Sequence, residues 1–268
     1  MATRYFLHIA YNGTHYSGWQ RQPNAKTVQN TIEQKLSAIF KTFITVYGCG
    51  RTDAGVHASQ YLLHINLEED LKFDLKFRLN KHLPKDVRVY DVIRVESNQH
   101  AMYDAVSRTY DYFIHLTEDP FIHQFSSFYE ESNLDFEAMN KAIGMLPIYH
   151  EYRSFCKQPD VYKHTICKVS DAQMFVNSEQ TRIRISISSN RFIRGMIRFI
   201  VAFVLQVGRG ELSVVKFEKL LKNELEFSKK SPALPNGLFL SEVEYPYLKT
   251  QNQSSITKFL KVGLSVSV

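Results

Sequence analysis

Two rhythms of apolar residues alternate along this chain. Arg4 to Ala10 (RYFLHIA) is rich in β-formers. Thr27 then stands as an N-cap before Val28, Ile32, Leu36, Ile39 and Phe40, whose spacing predicts a helix. Phe43 to Tyr47 (FITVY) and Val56 to Ile65 read as strands separated by a glycine-bearing loop. Leu75, Leu79 and Leu83 recur at i, i+4 and i+8, which predicts a helix over Phe73 to Leu83 that Pro84 ends. Val87 to Val95 (VRVYDVIRV) reads as a strand. The order is β-α-β-β-α-β.

The order then recurs. Thr109 to Leu116 reads as a strand and Leu134 to Met145 as a helix. His164 to Val176 and Thr181 to Ser188 read as strands. Phe192 to Val207 is helical, with a shorter helix near Val214 to Lys222, and Leu238 to Glu244 closes the series as a strand. Split β-α-β units of this kind are the ferredoxin-like pattern. Two copies predict an α+β fold: two ferredoxin-like halves joined into a mainly antiparallel sheet, with helices on one side and a basic active-site cleft between the halves. The halves are 1–106 and 107–248, with a tail at 249–268 that is either loose or a late-added edge strand. No Gly/Ser/Pro linker marks the seam, so a continuous sheet is expected rather than a tether.

Charge narrows the class of protein. The 268 residues carry 33 Lys+Arg against 27 Asp+Glu, so 33 − 27 gives +6. At 44% hydrophobic the chain can bury a real core, which argues against disorder. Cys49, Cys156 and Cys167 form no C-x-x-C pair, so neither a disulfide framework nor a thiolate zinc site is expected. The N-terminus lacks a signal pattern, and the longest apolar stretch, Ile197 to Val207, falls well short of the ~20 residues of a membrane helix. A soluble, cytoplasmic, basic protein is the expectation.

The basic residues are unevenly placed. Between Gln180 and Gly210 stand Arg182, Arg184, Arg191, Arg194, Arg198 and Arg209, with no Lys, Asp or Glu among them. Guanidinium forks match phosphate and carboxylate oxygens, so the stretch reads either as a polyanion-facing surface or as a solvated basic face. On the strand at Thr181 to Ser188, Ile183, Ile185 and Ile187 point one way and Arg182, Arg184, Ser186 and Ser188 the other. Arg198 inside an apolar helix wants a carboxylate partner, because an unpaired buried charge is costly.

The densest polar feature is Gly48 to Ser59, GCGRTDAGVHAS. Asp53 lies two residues from Arg51 and four from His57. A carboxylate beside a guanidinium stays ionised, which suits a nucleophile or electrostatic stabiliser better than a general acid. On spacing alone an Asx-turn is the stronger reading. The loop has neither a P-loop nor a dinucleotide fingerprint. His57 at a strand start reads as structural, and His64, His82 and His100 show no metal-ligand spacing.

GRTDAGVHA, Gly50 to Ala58, resembles the signature of the TruA family of tRNA pseudouridine synthases. Other segments agree in order: YSGWQRQ at Tyr16 to Gln22, NKHLP at Asn80 to Pro84, SRTYDY at Ser107 to Tyr112, YRSFCK at Tyr152 to Lys157, FIRGMIR at Phe192 to Arg198, and GLFL at Gly237 to Leu240. The resemblance runs from about Tyr5 to Pro246. It implies that Asp53 is the catalytic aspartate and that Arg51 helps open or hold the flipped nucleotide. It implies that Tyr110 lies against the target base as a candidate for late proton transfer. Arg198 then pairs with Asp53, and Leu238 lies under the uracil ring. Arg182, Arg184 and Arg194 are expected on substrate phosphates. The substrate implied is uridine at positions 38, 39 and 40 in the anticodon arm of tRNA. The resemblance also implies a homodimer with no cofactor and no metal.

Two segments depart from the family pattern. His100-Ala101-Met102-Tyr103 stands where H-A-R-F is usual, and Glu151-Tyr152 where D-F is usual. Both touch substrate contacts or packing, not the aspartate. A non-catalytic RNA binder would share the basic surface. A carboxylate-dependent hydrolase would need a second carboxylate near Asp53, and its loop offers none.

Overall fold

The computed structural model describes residues 3–226 and 231–266. The chain forms two compact units, Met1–Val106 with Phe239–Lys258, and Ser107–Leu238 with Phe259–Val268. Among the described residues ten strands, mostly paired antiparallel, and six α-helices make a mixed α+β protein.

The first unit starts with β1 (Thr3–Tyr11), α1 (Val28–Phe40), β2 (Tyr47–Gly48), β3 (His57–Leu67), α2 (Leu75–His82) and β4 (Val87–Val95). β1 lies between β3 and β4 and is antiparallel to both, and β2 adds to β3. Nearly every residue of β3 is buried, which marks a strand covered on both faces. Thr27 caps α1 by accepting from Asn30 N, and Lys41 ends it in the left-handed conformation. Asp74 caps α2, and Leu83, held extended ahead of Pro84, stops it.

Only the last residue of the expected FITVY strand is one. Ile44 N donates to Ser37 Oγ and Val46 N to Glu33 Oε1, so side chains of α1 hold this backbone where a sheet partner was expected. Glu33 is 1% exposed and also accepts from Arg21 Nη1 and Gln29 Nε2. A buried carboxylate with this many donors is satisfied where it sits.

The second unit holds β5 (Ser107–His115), β6 (Ser127–Phe128), α3 (Phe136–Gly144), β7 (Val169–Asn177), β8 (Arg182–Ser189), α4 (Met196–Gly208) and α5 (Val214–Leu221). β8 runs antiparallel between β5 and β7, and alternates strictly, with Ile183, Ile185 and Ile187 inward. β7 starts at Val169 rather than His164. Cys167 N donates to His150 O and Tyr152 N to Thr165 O, so the preceding residues bridge a different segment. α4 starts at Met196 rather than Phe192, because Gly195 has φ +78°, outside a right-handed helix. α4 is buried almost all round and forms the unit's central helix.

β9 (Leu238–Glu244) follows, then α6 (Ser255–Lys261) and β10 (Leu264–Val266). From Phe239 onward β9 belongs to the first unit, where it pairs parallel with the start of β3, although element order assigns it to the second half. β10 is an edge strand on β7, so the end of the tail is ordered by pairing. Val268, part of the apolar alternation there, lies outside the described residues. The three cysteines are buried. No helix among the described residues is long and apolar enough to cross a membrane.

Candidate active site

The loop between β2 and β3 is fixed by its own neighbours in the first unit. Trp19 N donates to Thr52 O at 3.1 Å, and Gly55 N to Tyr16 O at 3.2 Å. Val56 N closes a turn on Asp53 O at 3.2 Å, and Tyr11 Oη lies 2.8 Å from Thr52 Oγ1. Gly18 makes this docking possible. Its φ is +88°, and a Cβ there would stand 2.5 Å from Thr52 O and 3.1 Å from the carbonyl carbon of Asp53. Tyr61 Oη donates to Gly50 O at 2.6 Å while its ring packs on Trp19. The backbone on both sides of Asp53 is therefore held, Asp53 itself is half-buried and Arg51 is exposed.

His57 is tied into the first unit. Its Nδ1 accepts from Gly13 N at 3.0 Å, which requires that nitrogen to be unprotonated, and its ring stacks on Phe239.

The other expected residues lie in the second unit. Tyr110, on β5, is buried and meets Phe192 edge-to-face at 5.0 Å. Arg198 sits half-buried on α4, where its Nε donates to Ala233 O at 2.6 Å and its own carbonyl accepts from Ala233 N at 3.0 Å. This double clip ties residue 233 to the helix. Leu238 N then donates to Pro235 O, and Phe113 N to Gly237 O, so the chain reaches Leu238 in a defined turn. Tyr112, the second tyrosine of SRTYDY, carries more of this structure than sequence reading assigned it. Its buried hydroxyl donates to Leu234 O at 2.7 Å and meets Ser127 Oγ and Tyr129 Oη. Burial pushes that phenol's pKa far above its ordinary value. Tyrosine spacing alone cannot distinguish a core brace from a base contact.

A family pattern described as tRNA pseudouridine synthase matches residues 8–104 and 149–246. The chain belongs to the tRNA pseudouridine synthase family. It is similar to proteins named tRNA pseudouridine synthase A from Porphyromonas gingivalis, at 39% identity over 246 residues, which covers 91% of this chain and 97% of that one. The protein of that name from Bacteroides fragilis is 42% identical over 246 residues, with 91% and 96% covered. The one from Picosynechococcus is 34% identical, with 91% and 89% covered. Of the residues singled out from this synthase's sequence, Arg51, Asp53, Arg182, Arg184, Arg194, Arg198 and Leu238 fall inside the matched spans, and Tyr110 falls between them.

The arginine-rich stretch of this family member is less uniform than its sequence suggests. Arg194 is exposed, with one guanidinium nitrogen on Gln158 Oε1. Arg182 is half-exposed and donates to Val262 O. Arg184 departs from the phosphate-facing expectation. Its side chain is 12% exposed, lies 3.7 Å over the Phe175 ring and has Nη1 3.6 Å from Asp111 Oδ1. Asp111 is 1% exposed and faces Lys261 Nζ at 2.8 Å on its other oxygen. Neither contact lines up as a hydrogen bond, so both are charge pairs by proximity. A buried carboxylate drew this arginine inward. Arg209 is likewise paired with Glu131.

The two departures from the family pattern go into packing and backbone bonding. Tyr152 is fully buried and donates to Leu146 O. Glu151 Oε1 accepts from Thr165 Oγ1 and Arg153 N. Met102 N donates to His100 Nδ1. Among the described residues no group of three His, Cys, Asp or Glu could hold a metal.

Proposed function

We propose that this protein isomerises uridine to pseudouridine in tRNA, with Asp53 as the nucleophile. The observation that carries the reading is the Asp53 loop. Within a span matched to the family, the backbone on both sides of one carboxylate is anchored by Tyr11, Tyr16, Trp19 and Tyr61. Positioning of this kind suits covalent catalysis. The uridine N1–C1′ bond breaks, the base rotates, and a C5–C1′ bond forms. The C5 proton is lost and N1 gains one, so the reaction is balanced without a redox partner or external group.

A stacked base is out of reach, so the nucleotide is flipped out of its stack. Arg51 helps hold the opened strand, Tyr110 and Leu238 flank the uracil, and Arg198 keeps the carboxylate ionised and aimed. Arg182 and Arg194 meet phosphates, since each guanidinium has five N–H donors and one is used within its unit. The reading includes uridines 38, 39 and 40 of the anticodon arm, a homodimer in the cytoplasm, a ferredoxin-like build for each half, and no cofactor or metal. Its support is the family resemblance of the segments that carry these residues.

The test is a pseudouridine map of tRNA incubated with wild-type protein and with Asp53→Asn. Wild type is expected to modify the anticodon arm, and the variant to bind tRNA but make no pseudouridine. Normal modification by the variant would remove Asp53 from the chemistry. Binding without modification by wild type would leave an RNA-binding protein.

A further inference from the structure

We propose a second RNA subsite in the first unit, at the groove between α2 and β4, which takes one stacked base and its flanking phosphates. The groove has a volume of about 410 Å³ and is lined by Asp74, Lys76, Phe77, Asn80, Lys81 and Arg88. α2 buries Leu75 and Leu79, and Phe77 faces away from them, 60% exposed. Lys81 Nζ sits 5.4 Å from the centre of the Phe77 ring. A solvent-facing ring edged by cations is the pairing that single-stranded nucleic acid uses, with a base on the ring and phosphates on the cations.

Charge in the groove is available to a ligand. Three nearby cations are neutralised: Lys72 by Glu69, Arg94 by Asp70, and Lys26 weakly by Asp86. Among the described residues no carboxylate lies within ion-pair distance of Lys76, Lys81 or Arg88. Asp74, the one carboxylate of the lining, accepts from Phe77 N at 2.8 Å as the helix cap. Asn80 is committed too, bracketing Val89 with its side chain through bonds of 2.8 and 2.9 Å. What remains is three cations and a ring.

Position argues for RNA as the occupant. Ala58 near the start of β3 is in register with Tyr11, and Tyr11 with Val87, the neighbour of Arg88. Arg88 therefore lies two strand spacings, about 10 Å, across the sheet from the end of β3 that receives the Asp53 loop. A polynucleotide delivering a uridine to Asp53 can pass over this edge of the same unit. The subsite rests on the proposed tRNA substrate.

The test uses full-length protein, a tRNA transcript and four forms of the enzyme: wild type, the triple variant Lys76→Ala/Lys81→Ala/Arg88→Ala, Phe77→Ala and Phe77→Trp. All four positions are exposed, so thermal melts should match wild type. In the triple variant the slope of log Kobs against log salt is expected to shrink by about 2–3, at roughly one per phosphate contact. KM should rise about tenfold or more, with kcat unchanged. Phe77→Ala should raise KM about fivefold or more, and Phe77→Trp should restore it. An unchanged slope and KM in the triple variant would overturn the subsite, and equal defects in Phe77→Ala and Phe77→Trp would overturn the stacked base. If wild type binds tRNA but makes no pseudouridine, the proposed reaction fails, while the slope comparison still decides the subsite.

Discussion

The imidazole of His8 is 1% exposed in β1, its Nε2 has no hydrogen-bond partner, and its ring lies 5.4 Å from Tyr90. Burial lowers its pKa to about 4, against an opposing pull from Asp91. His64 is lowered to about 3, first by burial and then by Arg4 and His100. Both are neutral in the native state at pH 7. Once unfolded, each would take up a proton near pH 6.5. Between 6.5 and those lowered values the unfolded chain binds more protons, so stability falls as pH falls, by ~1.4 kcal/mol per pH unit for each histidine. His8→Phe keeps a ring in the core and removes one titration. Urea unfolding at pH 7.5, 6 and 5 should show its acid slope reduced by ~1 kcal/mol per pH unit. A slope equal to wild type would mean that His8 is not held neutral by the fold.

The loop that carries Asp53 is only as rigid as the segment docked against it. Gly18→Ala would place a methyl 2.5 Å from Thr52 O at a φ of +88°. Such strain costs on the order of 1–3 kcal/mol. It should also move the carboxylate, so kcat is expected to drop at least tenfold while KM changes little. Single-turnover kinetics with a pseudouridine readout would check this, and wild-type kcat would show that the docking is dispensable. Strands and helices with strong local signals were legible in the chain: Thr27 as a cap, Val87 to Val95 as a strand, Pro84 as a stop. Segments whose backbone is claimed by distant side chains were not. FITVY has strand composition, yet Glu33 and Ser37 bind its amides, and no local pattern carries that information. The Asp53 loop was legible because its motif is contiguous. The work of Tyr112 and Ala233 was not, because it depends on residues more than 30 positions away.

For the whole chain, net charge and RNA-facing charge are different quantities. Arg184 neutralises Asp111, and Arg209 neutralises Glu131. Arg194→Ala is expected to reduce the salt slope of tRNA binding by about one and leave stability unchanged. Arg184→Met should do the reverse: the same slope, with a loss on the order of 2–3 kcal/mol, since Lys261 still faces the carboxylate. Salt titrations and urea melts of the two variants separate these outcomes. If Arg184→Met weakened the slope instead, the side chain would have to leave Asp111 for the RNA.

β9 also sets an order of events in the cell. The start of β3 pairs with Phe239 and Ala58 with Leu240, so one edge of the first unit is supplied by residues synthesised about 180 positions later. Asp111 waits in the same way for Lys261. During translation, therefore, neither unit can finish folding while the ribosome is still on the middle of the message. The nascent chain must carry the bare edge of β3, and a buried acid short of one counter-ion, until residues 239–261 emerge. Chaperoning of the nascent chain would matter most in that interval, and pausing ahead of residue 239 would lengthen it.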